Sequence, residues 1–408
     1  MPSATPKAES FRIVLGVAGG IAAYKSVELL RLLRERGYYV APVLTPDATR
    51  FVGALTFSAL ASEPARTSLY GDLRTPIPHT YLAQNADLVV VAPATAHLIA
   101  RYAAGLADDL LCATLLATTT PVLLCPAMHT EMWEQPSVQE NLAVLRRRGV
   151  LVMEPDSGHL AGGDEGTGRL PEPARIAAMV ERIVGGYRGE LSGRTILISA
   201  GGTREAIDPV RVITNRSSGR QGYALAEIAA RMGASVTLVT SVERDLALDT
   251  RRAIEVVVVQ SVRDMREALL GRSDRSDAVI MAAAVSDFTV VASPTKLKRR
   301  DGVPQLSFEA APDVLAELVA ARRPGQIIVG FAAETHDVDD NAALKLRAKD
   351  VDLLVVNDVS AEGAGFEHAT NEVTLMARNA EPERVTLRSK EEVSWAILAR
   401  VLTLFATA

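Results

Sequence analysis

Several short stretches of this sequence carry residues that can do chemistry. GVAGG, residues 16–20, sets Gly19 and Gly20 before the helical run IAAYKSVELLRLLRERG. Backbone N–H groups at a helix start bind phosphate, and a Gly-Gly pair without GxGxxG spacing suits one phosphate rather than a dinucleotide pyrophosphate; a tight turn is the equal alternative. His79 stands just ahead of a predicted helix in PHTYLAQNAD, and PAMHTEMW places a polar residue, His129, and Trp133 after a buried strand. An imidazole titrates near neutrality and serves proton transfer, although a single histidine is more often structural. Further on, DAVIMAAAVSDF reads as a strand ending at Asp287, SPTKLKRR carries Lys296 and Lys298 in a loop, and KLRAK sets Lys345 and Lys349 on one helix face. Such cations suit a polyphosphate, with a solvated charged surface as the bland reading. A second Gly- and Ser-rich loop, SAGGTREAIDPVRVITNRSSGRQG (199–222), lies in mid-chain.

The elements that must position these residues alternate regularly. RIVLGV, YVAPVL, DLVVVAPAT, PVLLCPAM and VLVMEP are continuous apolar runs separated by helical stretches, among them DATRFVGALTFSALAS. Runs of this kind are strands buried on both faces of a parallel sheet. The register restarts at TILISAGG (195–202) and continues through a helix from Gln221, ASVTLVT, IEVVVVQS, DAVIMAAAV, a helix from Pro312, IIVGFAAET and LLVVNDVS. A hairpin, NEVTLMAR with ERVTLRSK, precedes a closing helix from Glu391. The expected fold class is α/β, as two doubly wound, mostly parallel three-layer domains. Residues 1–10 are expected as a disordered tail, 11–184 as the first domain, the Gly-rich GGYRGELSG (185–193) as linker and 194–408 as the second domain.

Composition narrows the function. The chain has 408 residues and a net charge of −5, so no general basic field draws nucleic acid. Two cysteines, both in apolar stretches, fit a reducing compartment rather than a disulfide framework. Six scattered histidines without an HExxH pair leave the metal ligands unassigned. The longest apolar region is cut by Pro93, Arg101 and Pro121, and the polar first ten residues lack a signal-peptide core, so the expected location is the cytoplasm, without membrane insertion.

GGIAAYK, HTYLAQNAD, APATAHLIARYAAGLADDLL, PAMHTEMW and GTGRL together resemble the flavin-dependent cysteine decarboxylases, and the second half resembles the phosphopantothenate-cysteine ligases. From about residue 11 to 405 the chain is similar to the bifunctional decarboxylase/ligase family of coenzyme A biosynthesis. The resemblance implies a flavodoxin-like flavoprotein domain followed by a Rossmann-like ligase domain. It implies FMN held by Gly19, Gly20, Thr45, Pro93, Ala94, Thr95 and Met128, with His79 as a catalytic histidine. In the ligase half it implies CTP, with Mg²⁺ on the triphosphate, bound by Asp287, Lys296, Ala311, Pro312, Asp313, Val314, Phe331, Lys345 and Lys349. Asn215 is implied to stabilise the acyl-cytidylate, and Ser217, Ser218, Gly219 and Arg220 to hold the substrate phosphate. The partners would be 4'-phosphopantothenate and L-cysteine, and decarboxylase trimers joined by ligase dimers would build a dodecamer.

Three positions depart from the family pattern. His129 stands where the family has an asparagine that grips the substrate carboxylate. Gly162, in the lid-like SGHLAGGDEGTGRL, replaces a proton-donating cysteine, leaving His159, Asp164, Glu165 or water as the donor. Arg220 replaces a lysine, and a planar, forked guanidinium is not equivalent to an ammonium. Two rival readings remain: an active ligase with an impaired or regulatory flavin domain, and a two-domain NAD(P) oxidoreductase, which lacks support because neither glycine loop has GxGxxG spacing.

Overall fold

The computed structural model describes residues 11–71, 75–187, 189–298, 305–334, 346, 349–358, 370–378 and 380–407. The chain forms two compact units that divide after Val184. The expected tail, residues 1–10, and Lys345 lie outside the described residues.

In the first unit the apolar runs become β1 (Arg12–Val17), β2 (Tyr39–Leu44), β3 (Leu88–Ala94), β4 (Val122–Pro126) and β5 (Leu151–Val152). All pair in parallel in the order β2-β1-β3-β4-β5. Every residue of β3 is buried, as a strand covered by helices on both faces requires. The order reverses between β1 and β3, and in such sheets a ligand binds beyond the strand ends at that switch point. Past β5 a short antiparallel hairpin, β6 (Asp156–His159) and β7 (Glu165–Arg169), takes up the lid-like segment.

The second unit carries β8 (Thr195–Ala200), a small hairpin of β9 (Arg204–Ala206) and β10 (Val212–Thr214), β11 (Ser235–Thr240), β12 (Ile254–Val258) and β13 (Ala278–Met281). There follow the paired β14 (Phe288–Val290) and β15 (Phe308–Ala310), then β16 (Ile327–Glu334), β17 (Leu353–Asp358), β18 (Thr370–Ala377) and β19 (Glu383–Ser389). Its main sheet runs β12-β11-β8-β13-β16-β17-β18-β19, parallel as far as β17, with the expected hairpin added antiparallel. Here the order reverses between β8 and β13. The α/β, mostly parallel, doubly wound class expected from the sequence is what forms in both units.

Boundaries moved where periodicity has no power to set them. The single helix expected from DATRFVGALTFSALAS is a 3₁₀ turn (Ala48–Arg50) and a helix (Ala54–Leu60), because Gly53 is extended and breaks the run. His79 lies inside the first turn of the helix Pro78–Asn85, not ahead of it. The strand before Asp287 stops at Met281, so Asp287 sits on the connection to β14. The helix Pro173–Tyr187 runs into the segment read as linker, since Ile183 and Val184 keep its apolar face buried up to the two glycines. No helix among the described residues is long and apolar enough to cross a membrane.

Candidate functional site

Each unit has a cavity at its switch point. That of the first unit is about 870 Å³, within the range of cofactor sites. Its wall combines Gly19 and Gly20 after β1, Thr45 after β2, Pro93 and Thr95 at the end of β3, Met128 and His129 after β4, and His159 from the hairpin. The loop after β1 reaches this place because residue 19 has no side chain: a Cβ there would come within 2.4 Å of the Asp47 Cβ. Close packing therefore demands Gly19 whether or not phosphate binds. Both threonines also have local duties. Thr45 Oγ1 accepts from the Ala48 amide at 3.2 Å, and Thr95 Oγ1 caps the helix Ala96–Ala104 by accepting from Leu98.

Not all the sequence candidates arrive. Ala94 alternates away from the cavity and is wholly buried in the hydrophobic core. Gly162, Asp164 and His79 do not line the wall. His79 is half-buried, and its Nδ1 is buried with no hydrogen-bond partner among the described residues. Arg101, Asp108 and Asp109, which were not among the candidates read from the sequence, do line it. Asp109 is 8% exposed, pairs with Arg101 at 2.8 Å and caps the helix Leu110–Ala117. Burial first, then the Asp109 charge, pushes the Cys112 thiol up to about 12. Cys112 and Cys125 are both buried, and a thiol held so high is a poor acid.

The two family departures in this unit meet in space. A Cβ built on Gly162 would lie 2.7 Å from His129 Cε1 and 3.5 Å from its Nε2. The His129 ring thus fills the volume a side chain at 162 would need. The expected outcome is that Gly162→Cys alone lowers decarboxylation, because ring and thiol compete for one space, whereas Gly162→Cys with His129→Asn recovers it. Side-by-side rates of product formation check this; equal rates for the single and double variants would contradict it.

The cavity of the second unit is about 480 Å³ and gathers candidates from five segments: Asn215, Ser217, Ser218, Gly219 and Arg220; Asp287; Ala311, Pro312, Asp313 and Val314; Phe331; and Lys349. Asn215 Nδ2 donates to the carbonyls of Ala284 (3.2 Å) and Val285 (3.3 Å), fixing its amide at the cavity wall. Asp313 caps the helix Val314–Ala320 and pairs with Lys349 Nζ at 2.6 Å. Burial works against its charge, yet Lys349 and the Ala316 amide hold its carboxyl below the usual range.

Lys296 is not in the wall, but its loop is pinned. The Asp208 carboxylate accepts from Arg211 (2.6 and 3.0 Å) and from the amides of Val210, Arg211 and Leu297. That set, led by the Arg211 guanidinium, holds Asp208 far below the usual carboxylate range. Asn357, Asn371 and Lys390 also line the cavity; they lie more than a hundred residues from the loop they face, and no spacing rule connects them. No cluster of three or more metal-ligating side chains occurs among the described residues.

The family model "Flavoprotein" matches residues 2–185, and that of the "DNA/pantothenate metabolism flavoprotein C-terminal domain" matches 191–404. The coenzyme A biosynthesis bifunctional protein CoaBC of Mycobacterium tuberculosis H37Rv is 46% identical over 409 aligned residues, 97% of each chain. The chain belongs to the CoaBC family. The Bacillus subtilis CoaBC is 43% identical, over 96% of this chain and 97% of its own. A crystal structure of a CoaBC C-terminal domain is 34% identical and covers 54% of this chain and 100% of that one, with a TM-score of 0.45. Family membership over both halves makes this a bifunctional coenzyme A biosynthesis protein with a flavoprotein half, and leaves the NAD(P) oxidoreductase reading unsupported.

Proposed function

We propose that the second unit joins L-cysteine to 4'-phosphopantothenate at the expense of CTP, and that the first unit, holding FMN, decarboxylates the resulting phosphopantothenoylcysteine to 4'-phosphopantetheine. The observation that carries this reading is the convergence of Asn215, Ser217–Arg220, Asp287, Asp313, Phe331 and Lys349 on one cavity at the switch point, in a chain of this family.

In the ligase half, the substrate carboxylate attacks the α-phosphate of CTP and pyrophosphate leaves. The cysteine amine then attacks the acyl carbon of the acyl-cytidylate and CMP leaves, forming the amide. Asn215, fixed by its two carbonyl contacts, supports the acyl group, and the Ser217–Gly219 amides before the helix Arg220–Arg231 support a phosphate. Mg²⁺ would come with the triphosphate and would offset its charge.

In the decarboxylase half, the 870 Å³ cavity with Gly19, Gly20, Thr45, Pro93, Thr95 and Met128 in its wall fits a flavin mononucleotide. FMN held by these residues would supply a reversible two-electron sink for the cysteinyl thiol, so that the net reaction would not be a redox one. His129 and His159 face this space and can hold or move a proton; the buried cysteines cannot.

Large apolar side chains are exposed in the stretch that ends beside His79: Phe51, Leu55, Tyr70 and Ile77, with Leu55 82% exposed. They support a homo-oligomer in which a second subunit covers this stretch. The dodecamer is our reading of its size, and two buried cysteines, neither of them in a disulfide, support a cytoplasmic location. The assay that tests the whole reading supplies 4'-phosphopantothenate, cysteine and CTP to the purified chain and follows pyrophosphate, CMP and CO₂.

A further inference from the structure

Asn215 does not anchor itself. Its two acceptors, the carbonyls of Ala284 and Val285, belong to the connection Ala282–Asp287, every residue of which lines the ligase-half cavity. The ladder of the sheet has stopped before this connection begins, because β13 ends at Met281, opposite Ser199 of β8. Other bonds must therefore hold Ala284 and Val285 in place.

Two buried hydroxyls bracket the pair. Ser199 Oγ accepts from the Ala283 amide at 3.1 Å and donates to Met281 Sδ at 3.6 Å, while Thr203 Oγ1 accepts from the Ser286 amide at 3.0 Å. Both side chains are 0% exposed, a costly place for a hydroxyl unless its bonds are made. Backbone bonds fill the space between them: the Ala284 amide donates to the Gly201 carbonyl at 2.8 Å, and the Ala284 carbonyl accepts from the Thr203 amide at 3.4 Å. Asn215 lies directly over Gly202, where a Cβ would come within 2.5 Å of the Asn215 carbonyl oxygen. The loop after β8 is thus a seat for the connection and for Asn215 together.

We propose that Ser199 and Thr203 are positioning residues for amide formation: they fix the carbonyls of Ala284 and Val285, and these aim the Asn215 amide at the acyl group. Neither residue is in the cavity wall, so each acts through Asn215 and not on the ligand. The proposal rests on the reading of Asn215 as the residue that supports the acyl group.

The test is a double-mutant cycle in the full chain. Ser199→Ala and Thr203→Val each remove one acceptor, Thr203→Ser keeps it, and all three are made in the wild-type protein and in Asn215→Ala. CMP release is followed after the pyrophosphate burst, and CTP affinity is measured by calorimetry. Displacing a reacting group from a distance costs up to about 10² in rate, so Ser199→Ala and Thr203→Val are each expected to slow CMP release about ten- to a hundredfold in the wild-type background. CTP affinity and the pyrophosphate burst are expected to stay within about twofold, and Thr203→Ser to release CMP within about twofold of the wild-type rate. In Asn215→Ala the same substitutions are expected to add less than about twofold, since the group they position is gone. Equal slowing in both backgrounds, no slowing in the wild type, or Thr203→Ser as slow as Thr203→Val overturns the proposal. Weakened CTP binding also overturns it, because the effect would then run through Asp287, beside Ser286. If Thr203→Val does not fold, the Ser199→Ala cycle decides alone. An Asn215→Ala protein that releases CMP at the wild-type rate would instead count against the role of Asn215 itself, and the proposal falls with that reading.

Discussion

Asn215→Asp is expected to stop amide formation while leaving decarboxylation untouched. The native amide nitrogen lies 3.2 and 3.3 Å from the carbonyl oxygens of Ala284 and Val285. A carboxylate in that position meets two acceptors with no proton to give, so it is repelled from its anchorage and brings a negative charge to a cavity built for anions. Loss of one preorganised polar group at a reacting acyl centre costs about 10²–10³ in rate. Pyrophosphate release should therefore persist as a burst while CMP release falls by about that factor. Phosphopantothenoylcysteine supplied directly should still lose CO₂ at the wild-type rate. Stopped-flow pyrophosphate detection beside chromatographic CMP measurement separates the two half-reactions, and parallel loss of ligation and decarboxylation would contradict the assignment of separate sites.

The second large effect concerns His79. It does not line the cavity of its own chain, yet its Nδ1 is buried without a partner among the described residues, next to the 58% exposed Ile77. In the homo-oligomer proposed above, a polar atom so placed would find its partner in a neighbouring subunit once the exposed stretch is covered. His79→Ala is expected to lower decarboxylation by about 10²–10⁴, the range for a positioned acid–base group, without affecting ligation. Co-assembled with a His129→Ala chain, it should regain part of the lost activity, because mixed oligomers contain cavities with one intact residue from each chain. Absence of rescue in mixed oligomers would place His79 in the service of its own subunit or of none.

The sequence was most legible where physics is local. Continuous β-branched runs such as LVVVAPA and TILISA must be covered on both faces, and both lie in the interior of their sheets, flanked by a strand on either side. The hairpin of β18 and β19 followed from apolar alternation across a turn. Ends of elements were less legible: Gly53 splits a helix, and Asp287 lies beyond its strand, because periodicity fixes a face and not a terminus. For the ligase cavity the resemblance named most of the wall, whereas Lys390, Asn357 and Asn371 come from the far edge of the sheet and are adjacent only once β16, β17 and β18 are laid side by side. In the decarboxylase half, sequence reasoning treated His129 and Gly162 as two independent departures. The 2.7 Å approach of the ring to the space above Gly162 makes them one exchange of volume, and this weakens the reading of an impaired flavin domain.

The central claim is that two separate cavities of one chain perform consecutive reactions. The most direct measurement is the product balance of the purified chain given 4'-phosphopantothenate, L-cysteine and CTP with Mg²⁺. The account predicts equal amounts of pyrophosphate, CMP, CO₂ and 4'-phosphopantetheine, with phosphopantothenoylcysteine accumulating in place of the last two when the flavin is removed. CO₂ release that requires CTP even when phosphopantothenoylcysteine is supplied, or CMP formation that depends on the flavin, would contradict it.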